Sequence, residues 1–359
     1  MESGHPAIIT ERASSALELE PLVEVTRGNA VESRHFGHVA VVEGNGKLIA
    51  SFGDPERATF MRSCAKPFQA IPLITTGAAD AYNFSPAEIA IACGSHHGLP
   101  EHVHTVTGML TKIGLTRSAL RCGPHRPFNA DADHELIRHG STPNQLHNNC
   151  SGKHAAFLAT ALKLGGSTED YDWPSHPVQK EAVKALSAFA SHDLASAPQG
   201  YDGCGAPIFA LPLSKMALAY ARLVAPGMVV PADYARAAER IVAAMKACPE
   251  MIACPGCFDT ELTRLSQGKT IAKGGAEAVY CVAFPPQARW PSGLGIALKI
   301  EDGNDRARWP AVLRTLSELS LLPETTLAEL RSLTPHVIRN HSGAIVGNIE
   351  AVFNLTMHT

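Results

Sequence analysis

Strands at both ends of the chain with helices between them are the strongest constraint on its fold. Residues 21–26 alternate in polarity, and His38-Val39-Ala40-Val41-Val42 and Leu48-Ile49-Ala50-Ser51-Phe52 flank the hairpin turn signal Gly44-Asn45-Gly46-Lys47. Comparable β-rich segments return only at 269–273, 278–284, 294–300 and 344–353. Helical patterns fill the interval: 63–76, a segment opening at Ser85-Pro86-Ala87-Glu88, then 100–113, 151–164, 176–190, 212–224 and 231–247, with one more at 311–322. A short hairpin cannot bury a face alone, so the two ends must meet in one sheet. The expected fold class is α/β, with a mixed, mainly antiparallel sheet built from N- and C-terminal strands, flanking helices and a largely helical middle region. Residues 20–80 plus 265–355 are expected to form the sheet-containing part and 81–264 the mainly helical part of a single unit spanning 1–359, with a cleft where they join.

Composition removes several classes of function. Of 359 residues, 45% are hydrophobic and 18% charged, enough to bury a substantial core. A net charge of −3 and 6% aromatic residues argue against nucleic acid, which needs a basic surface or stacking platforms. Residues 1–20 lack the basic and apolar regions of a secretory signal, and no apolar run reaches the length of a spanning helix. The expectation is a cytoplasmic protein with no membrane partner. Nine cysteines at irregular spacing are unlike a disulfide framework, so they are expected as thiols or ligands. Cys93, Cys122, Cys248 and Cys281 read as packing. Cys254-Pro255-Gly256-Cys257 has redox spacing in a weak context for that chemistry, and structural use is favoured over redox or metal use.

Five polar stretches carry chemistry. Ser63-Cys64-Ala65-Lys66 places an amine one helical turn from a hydroxyl, and a lysine kept neutral by burial or a neighbouring cation such as Arg62 can accept a serine proton. The element arises easily by chance, and Ser266-Gln267-Gly268-Lys269 is a second match in a turn. Lys273-Gly274-Gly275 lies on a late strand, where Lys273 is either a second cation at the site or a solvated strand-end residue. Gly94-Ser95-His96-His97-Gly98 is either a source of a second hydroxyl or a helix C-cap with surface histidines, the latter being the favoured reading.

Asn148-Asn149-Cys150-Ser151-Gly152-Lys153-His154 precedes an apolar helix, with Ser151 the expected N-cap and Cys150 beside free amides that favour a thiolate. Tyr201-Asp202-Gly203-Cys204-Gly205 is a second thiol-bearing loop. Thiolates from two loops plus a nitrogen suit a tetrahedral zinc site with an open position, while an anion-binding helix start and an unrelated turn suit the same residues.

Together, in this order, the stretches Phe60 to Pro67, Cys93 to His96, Asn148 to His154, Asp202 to Gly205, Lys273 to Glu277 and Ile300 to Asn304 resemble the asparaginase II family, the Rhizobium-type L-asparaginases. The resemblance spans roughly 20–355. It implies a fold similar to serine β-lactamases and hydrolysis of L-asparagine to L-aspartate and ammonia. By resemblance Ser63 is the nucleophile with Lys66 as its base, and Ser95 and Lys273 form a second Ser–Lys pair. Cys150, Lys153 and Cys204 hold zinc, and Arg62, His154 and Asp202 hold the substrate, Arg62 its carboxylate and Asp202 its ammonium. A homodimer is implied as well. Gly274 departs from the hydroxyl residue found in the Lys-Thr-Gly strand of β-lactamases, which weakens a β-lactam reading. Three further readings differ in class: another serine amidase or esterase, a zinc- or amino-acid-binding protein without turnover, and a redox protein using Cys254 and Cys257.

Overall fold

A computed structural model describes residues 20–227 and 229–359. Among these residues the strands are β1 (Val23–Arg27), β2 (Ala30–His35), β3 (Gly37–Glu43), β4 (Leu48–Phe52), β5 (Ala58–Phe60), β6 (Gln199–Tyr201), β7 (Pro207–Pro212), β8 (Ile271–Gly275), β9 (Val279–Phe284), β10 (Leu294–Ile300), β11 (Val337–Arg339), β12 (Ile345–Ala351) and β13 (Thr356–Met357). The main sheet has the order β13-β4-β3-β10-β9-β8, antiparallel throughout. Its centre is the β3–β10 pairing, from Leu294 opposite Glu43 to Ile300 opposite Gly37. The two chain ends therefore do meet in one sheet, as the sequence requires. A second sheet, β11-β12-β1-β2, and a small one, β5-β7-β6, complete the β structure of the described residues.

Every residue of β3 and of β10 is buried, because both faces of the main sheet are covered. The two-residue period of the strand distributes them. Ala40 and Val42 join one core, with the helix Leu213–Val224 and the helical middle of the chain. Val39 and Val41 join the other, with the helix Asp305–Glu318 and β1. The first packing is close. A Cβ on Gly295 would stand 1.8 Å from the Ala217 carbonyl oxygen, so glycine is what admits the helix to β10.

Most helices fall where the sequence puts them. Ser85 caps Pro86–Cys93 with a reciprocal capping box: its hydroxyl accepts from the Glu88 amide at 3.3 Å and its amide donates to the Glu88 carboxylate at 2.6 Å. Three segments differ from expectation. The helix expected over 63–76 is a 3-10 turn, Arg62–Ala65, followed by the short helices Lys66–Gln69 and Ile71–Thr75. Pro67 and Pro72 each lack an amide donor and open a new helix where one continuous helix would need that bond. The helix expected at 311 opens at Asp305, because the Asn304 side chain accepts the Arg306 amide and Pro310 is carried inside. Ser151 is not an N-cap. Cys150 holds that position without a side-chain cap, and the Ser151 hydroxyl bonds the Leu146 carbonyl and His96.

No helix among the described residues is long and apolar enough to cross a membrane.

Candidate active site

The helical middle and the main sheet leave a cleft of about 660 Å³ between them. Ser63, Ser95, Lys273, Cys150, Asp202 and Cys204 all line it, although they come from five separate segments. Ser63 sits in the 3-10 turn just after β5, and the preceding Arg62 takes a left-handed backbone, φ 48°. That conformation is unfavourable for a side-chain-bearing residue and is held here by tertiary contacts. The Cys64 thiol donates to the Lys273 carbonyl at 3.0 Å, docking the turn on β8.

Lys66, the first residue of the short helix that follows the turn, is fully buried. Its Nζ donates to the Gly94 carbonyl at 2.7 Å, the Ser95 Oγ at 2.9 Å and the Asn149 carbonyl at 3.1 Å. Three acceptors match the three N–H bonds of an ammonium. Ser63 Oγ makes no hydrogen bond among the described residues. The resting contact of Lys66 is thus with Ser95 and not with Ser63, the partner that the family resemblance implies.

Lys273 is also buried, not a solvated strand end, and its Nζ donates to the Gly274 carbonyl at 2.6 Å. Burial lowers its pKa to about 8; Asp259 opposes the shift and the charge of Lys66 reinforces it. Asp259 accepts the Gly274 amide at 2.9 Å. A Cβ at Gly274 would lie 3.3 Å from Arg308 Nη1 and 3.4 Å from Asp259 Oδ2. These two side chains therefore flank the position where the β-lactamase pattern carries a hydroxyl.

Also lining the cleft, the Cys150 and Cys204 sulfurs and a carboxylate oxygen of Asp202 lie within 4.8 Å of one another. Lys153 Nζ stands 3.2 Å from Cys204 Sγ. A hydrogen bond from Cys150 and the charge of Lys153, against burial, bring the Cys204 thiol down to about 5, while Cys150 is raised by the same hydrogen bond and by burial. Burial disfavours a charged Lys153, but the two sulfurs outweigh it and its pKa is raised. Two sulfurs with an adjacent nitrogen or carboxylate oxygen fit the donor set of a tetrahedral zinc ion. Ligation by Lys153 requires that the metal displace its proton.

Two expected substrate ligands are already partnered. Arg62 binds Asp202 through Nη2 at 2.8 Å and Nε at 3.0 Å. The third expected ligand, His154, does not line the cleft. It lies in the core on the helix Ser151–Lys163, 2.8 Å from the Tyr171 hydroxyl, and burial lowers its pKa to about 3. One residue along a helix turns a side chain by about 100°, which separates His154 from Lys153. The histidines after Ser95 are not on the surface either: His96 is fully buried, and His97, half-buried, lines the cleft.

The disulfide Cys254–Cys257 is a further correction, since thiols were expected. Asp259 and Arg308 are site residues that sequence reasoning did not single out. Asp259 and Arg308 sit in ordinary helical contexts and are brought to the cleft only by packing.

The family model for L-asparaginase II matches residues 23–351. No curated protein matches the sequence. Among solved structures, Mglu in its native form is 16% identical with a TM-score of 0.40, over 80% of this chain and 64% of that one. This chain thus spans less than two thirds of that protein's length. The Bacillus subtilis glutaminase YbgJ, in covalent complex with 5-oxo-L-norleucine, is 14% identical with a TM-score of 0.39, over 79% of this chain and 88% of that one. A β-lactamase from Desulfarculus baarsii is 13% identical with a TM-score of 0.31, over 74% and 82%. The family match covers nearly all of the described chain and every residue that lines the cleft, and the protein belongs to the L-asparaginase II family.

Proposed function

We propose that the protein hydrolyses the side-chain amide of L-asparagine to L-aspartate and ammonia through an acyl-enzyme on Ser63. The observation that carries this reading is the convergence of two buried lysines, Lys66 and Lys273, with two serines around one cleft. Ser63 Oγ adds to the amide carbonyl, its proton is taken by a lysine amine, and ammonia leaves with a proton returned from the protein. Water then cleaves the ester and regenerates the hydroxyl.

The two lysines divide the work. Lys66, saturated by three acceptors, holds Ser95 and places positive charge beside the reacting carbonyl. Lys273, which lines the same cleft as Ser63 and has its pKa lowered to about 8 by burial, is the amine that accepts the proton. Cys150, Lys153 and Cys204 would hold zinc, with Asp202 beside them. Bound there, the metal would supply a fixed positive charge at the cleft.

Ammonia release from L-asparagine and from L-glutamine by the wild type and by Ser63→Ala tests the assignment. Release from asparagine that disappears in Ser63→Ala supports it. Undiminished release in Ser63→Ala overturns the nucleophile, and release from glutamine alone overturns the substrate.

A further inference from the structure

The Cys254–Cys257 disulfide lies between the two segments that position the reactive groups. Immediately before it, the Ile252 carbonyl accepts the Ser95 amide at 2.7 Å and the Ala253 carbonyl accepts the His97 amide at 3.2 Å. These two bonds fix the backbone on which Ser95 presents its hydroxyl to Lys66. Immediately after it, the helix Phe258–Leu265 begins, and Asp259 accepts the amide of Gly274, the residue next to Lys273. The four-residue ring thus lies between the stretch hydrogen-bonded to the Ser95 segment and the residue hydrogen-bonded to the Lys273 segment.

The ring is accessible and its turn is built into the sequence. Pro255 and Gly256 occupy the two central turn positions, Gly256 with φ 77°, a conformation that favours glycine. The Cys257 amide donates to the Cys254 carbonyl at 3.0 Å and the Cα atoms are 5.3 Å apart. Pro255 and Gly256 are exposed, Cys257 is half-buried and lines the cleft, and Cys254 is buried. Cys257 Sγ lies 3.5 Å from His97 Nδ1, so there is no free space on that side.

We propose that Cys254 and Cys257 form a redox site that undergoes thiol–disulfide exchange with a dithiol reductant, and that reduction lowers amide hydrolysis. The regulatory part rests on the amidohydrolase reading above. The reductant's thiolate attacks the accessible Cys257 sulfur, the sulfur–sulfur bond breaks, and Cys254 leaves as a thiolate that takes up a proton. The second thiolate of the reductant then attacks the mixed disulfide, releasing Cys257 and leaving the reductant oxidised to its own disulfide. Two unbonded sulfurs cannot remain at bonding distance, so the turn must widen. Cys257 then moves against His97, or Cys254 moves with Ala253; the first presses on the Ser95–His97 segment and the second displaces backbone hydrogen-bonded to it. Small displacements of a positioned nucleophile or its partner are costly to rate.

The test compares fully oxidised protein with protein reduced by a dithiol, thiol content being counted on each sample, and includes the double variant Cys254→Ser/Cys257→Ser. Two further thiols on reduction, a loss of ammonia release from L-asparagine of roughly tenfold or more, recovery on reoxidation and a low, reductant-insensitive rate in the double variant support the proposal. Hydrogen exchange at the Ser95 and His97 amides provides a readout independent of turnover, and reduction is expected to accelerate it. Equal rates and equal exchange in the two redox states overturn the proposal whatever the double variant does. If neither state releases ammonia from any amide while exchange still responds to reduction, the amidohydrolase reading fails and the redox site stands.

Discussion

Lys66 Nζ lies 2.9 Å from Ser95 Oγ, and the same amine holds the Gly94 and Asn149 carbonyls. One buried cation thereby joins the turn that carries Ser63, the segment after the helix Pro86–Cys93 and the loop that leads to Cys150. Lys66 is three residues from Ser63 in sequence but bonded to Ser95 in space. This leaves the Ser63 hydroxyl free in the cleft and makes Ser95 the hydroxyl with a charged partner.

That arrangement separates the two serines experimentally. Ser63→Ala is expected to lower kcat for L-asparagine by about 10³-fold or more, since covalent catalysis is lost. Ser95→Ala is expected to cost roughly 10–10²-fold, since it removes a partner of Lys66 and leaves the nucleophile. Steady-state ammonia release, with mass spectrometry of trapped acyl-enzyme, measures both. An acyl adduct found on Ser95 would reverse the roles.

Proton transfer to Lys273 gives a pH limb. Its pKa is lowered to about 8 and the neutral amine is the competent form, so kcat/KM rises as pH increases through about 8 and flattens above it. Lys273→Arg keeps the charge at every accessible pH and is expected to abolish turnover while the protein stays folded. A profile that falls across pH 7 to 9 contradicts this role.

Metal content provides a third check. Cys150→Ser and Cys204→Ser are each expected to lower zinc bound per chain by most of one equivalent, measured by elemental analysis after dialysis. Cys93→Ser, far from the sulfur cluster in sequence and buried elsewhere in the core, should leave it unchanged.

Buried neutral histidines make the fold acid-sensitive. His154 has its pKa lowered to about 3 and His97 to about 4, both chiefly by burial, from an ordinary value of 6.5. Below that value the unfolded chain binds protons that the folded chain refuses. Stability is therefore full above about 6.5 and declines as pH falls toward 4, by up to about 1.4 kcal/mol per pH unit for each such imidazole. Denaturant midpoints measured from pH 7 to 4 check the slope, and His154→Gln, which cannot titrate, is expected to flatten it.

The contact between the helix Leu213–Val224 and the sheet is open to a single substitution. Gly295→Ala places a methyl against the Ala217 carbonyl and is expected to cost about 3 kcal/mol or more, because backbone must move on one side. Thermal unfolding of the purified variant measures it.

Much of this architecture is legible in local pattern. β10 lies at 294–300 as expected, and the Ser85 capping box shows from spacing alone, because periodicity and capping are short-range effects. The breaks at Pro67 and Pro72 were also visible as prolines, but apolar periodicity ran through them and concealed the restart of the helix. The exposure of histidines was not legible. His96 and His154 look like polar loop residues in sequence, and only a core with matching hydroxyls, on Ser151 and Tyr171, gives them buried partners.

The sequence by itself determined that the ends of the chain share a sheet, which motifs carry serine, lysine and cysteine chemistry, and which family they resemble. These follow from residue type and spacing along the chain. Only the tertiary structure decided that Lys66 meets Ser95, that Arg62 and Asp202 neutralise each other, that Asp259 and Arg308 reach Gly274, and that Cys254 and Cys257 are joined on the cleft wall. Each depends on distances between segments far apart in the chain or on desolvation, and both are set by how the helical middle packs against the sheet.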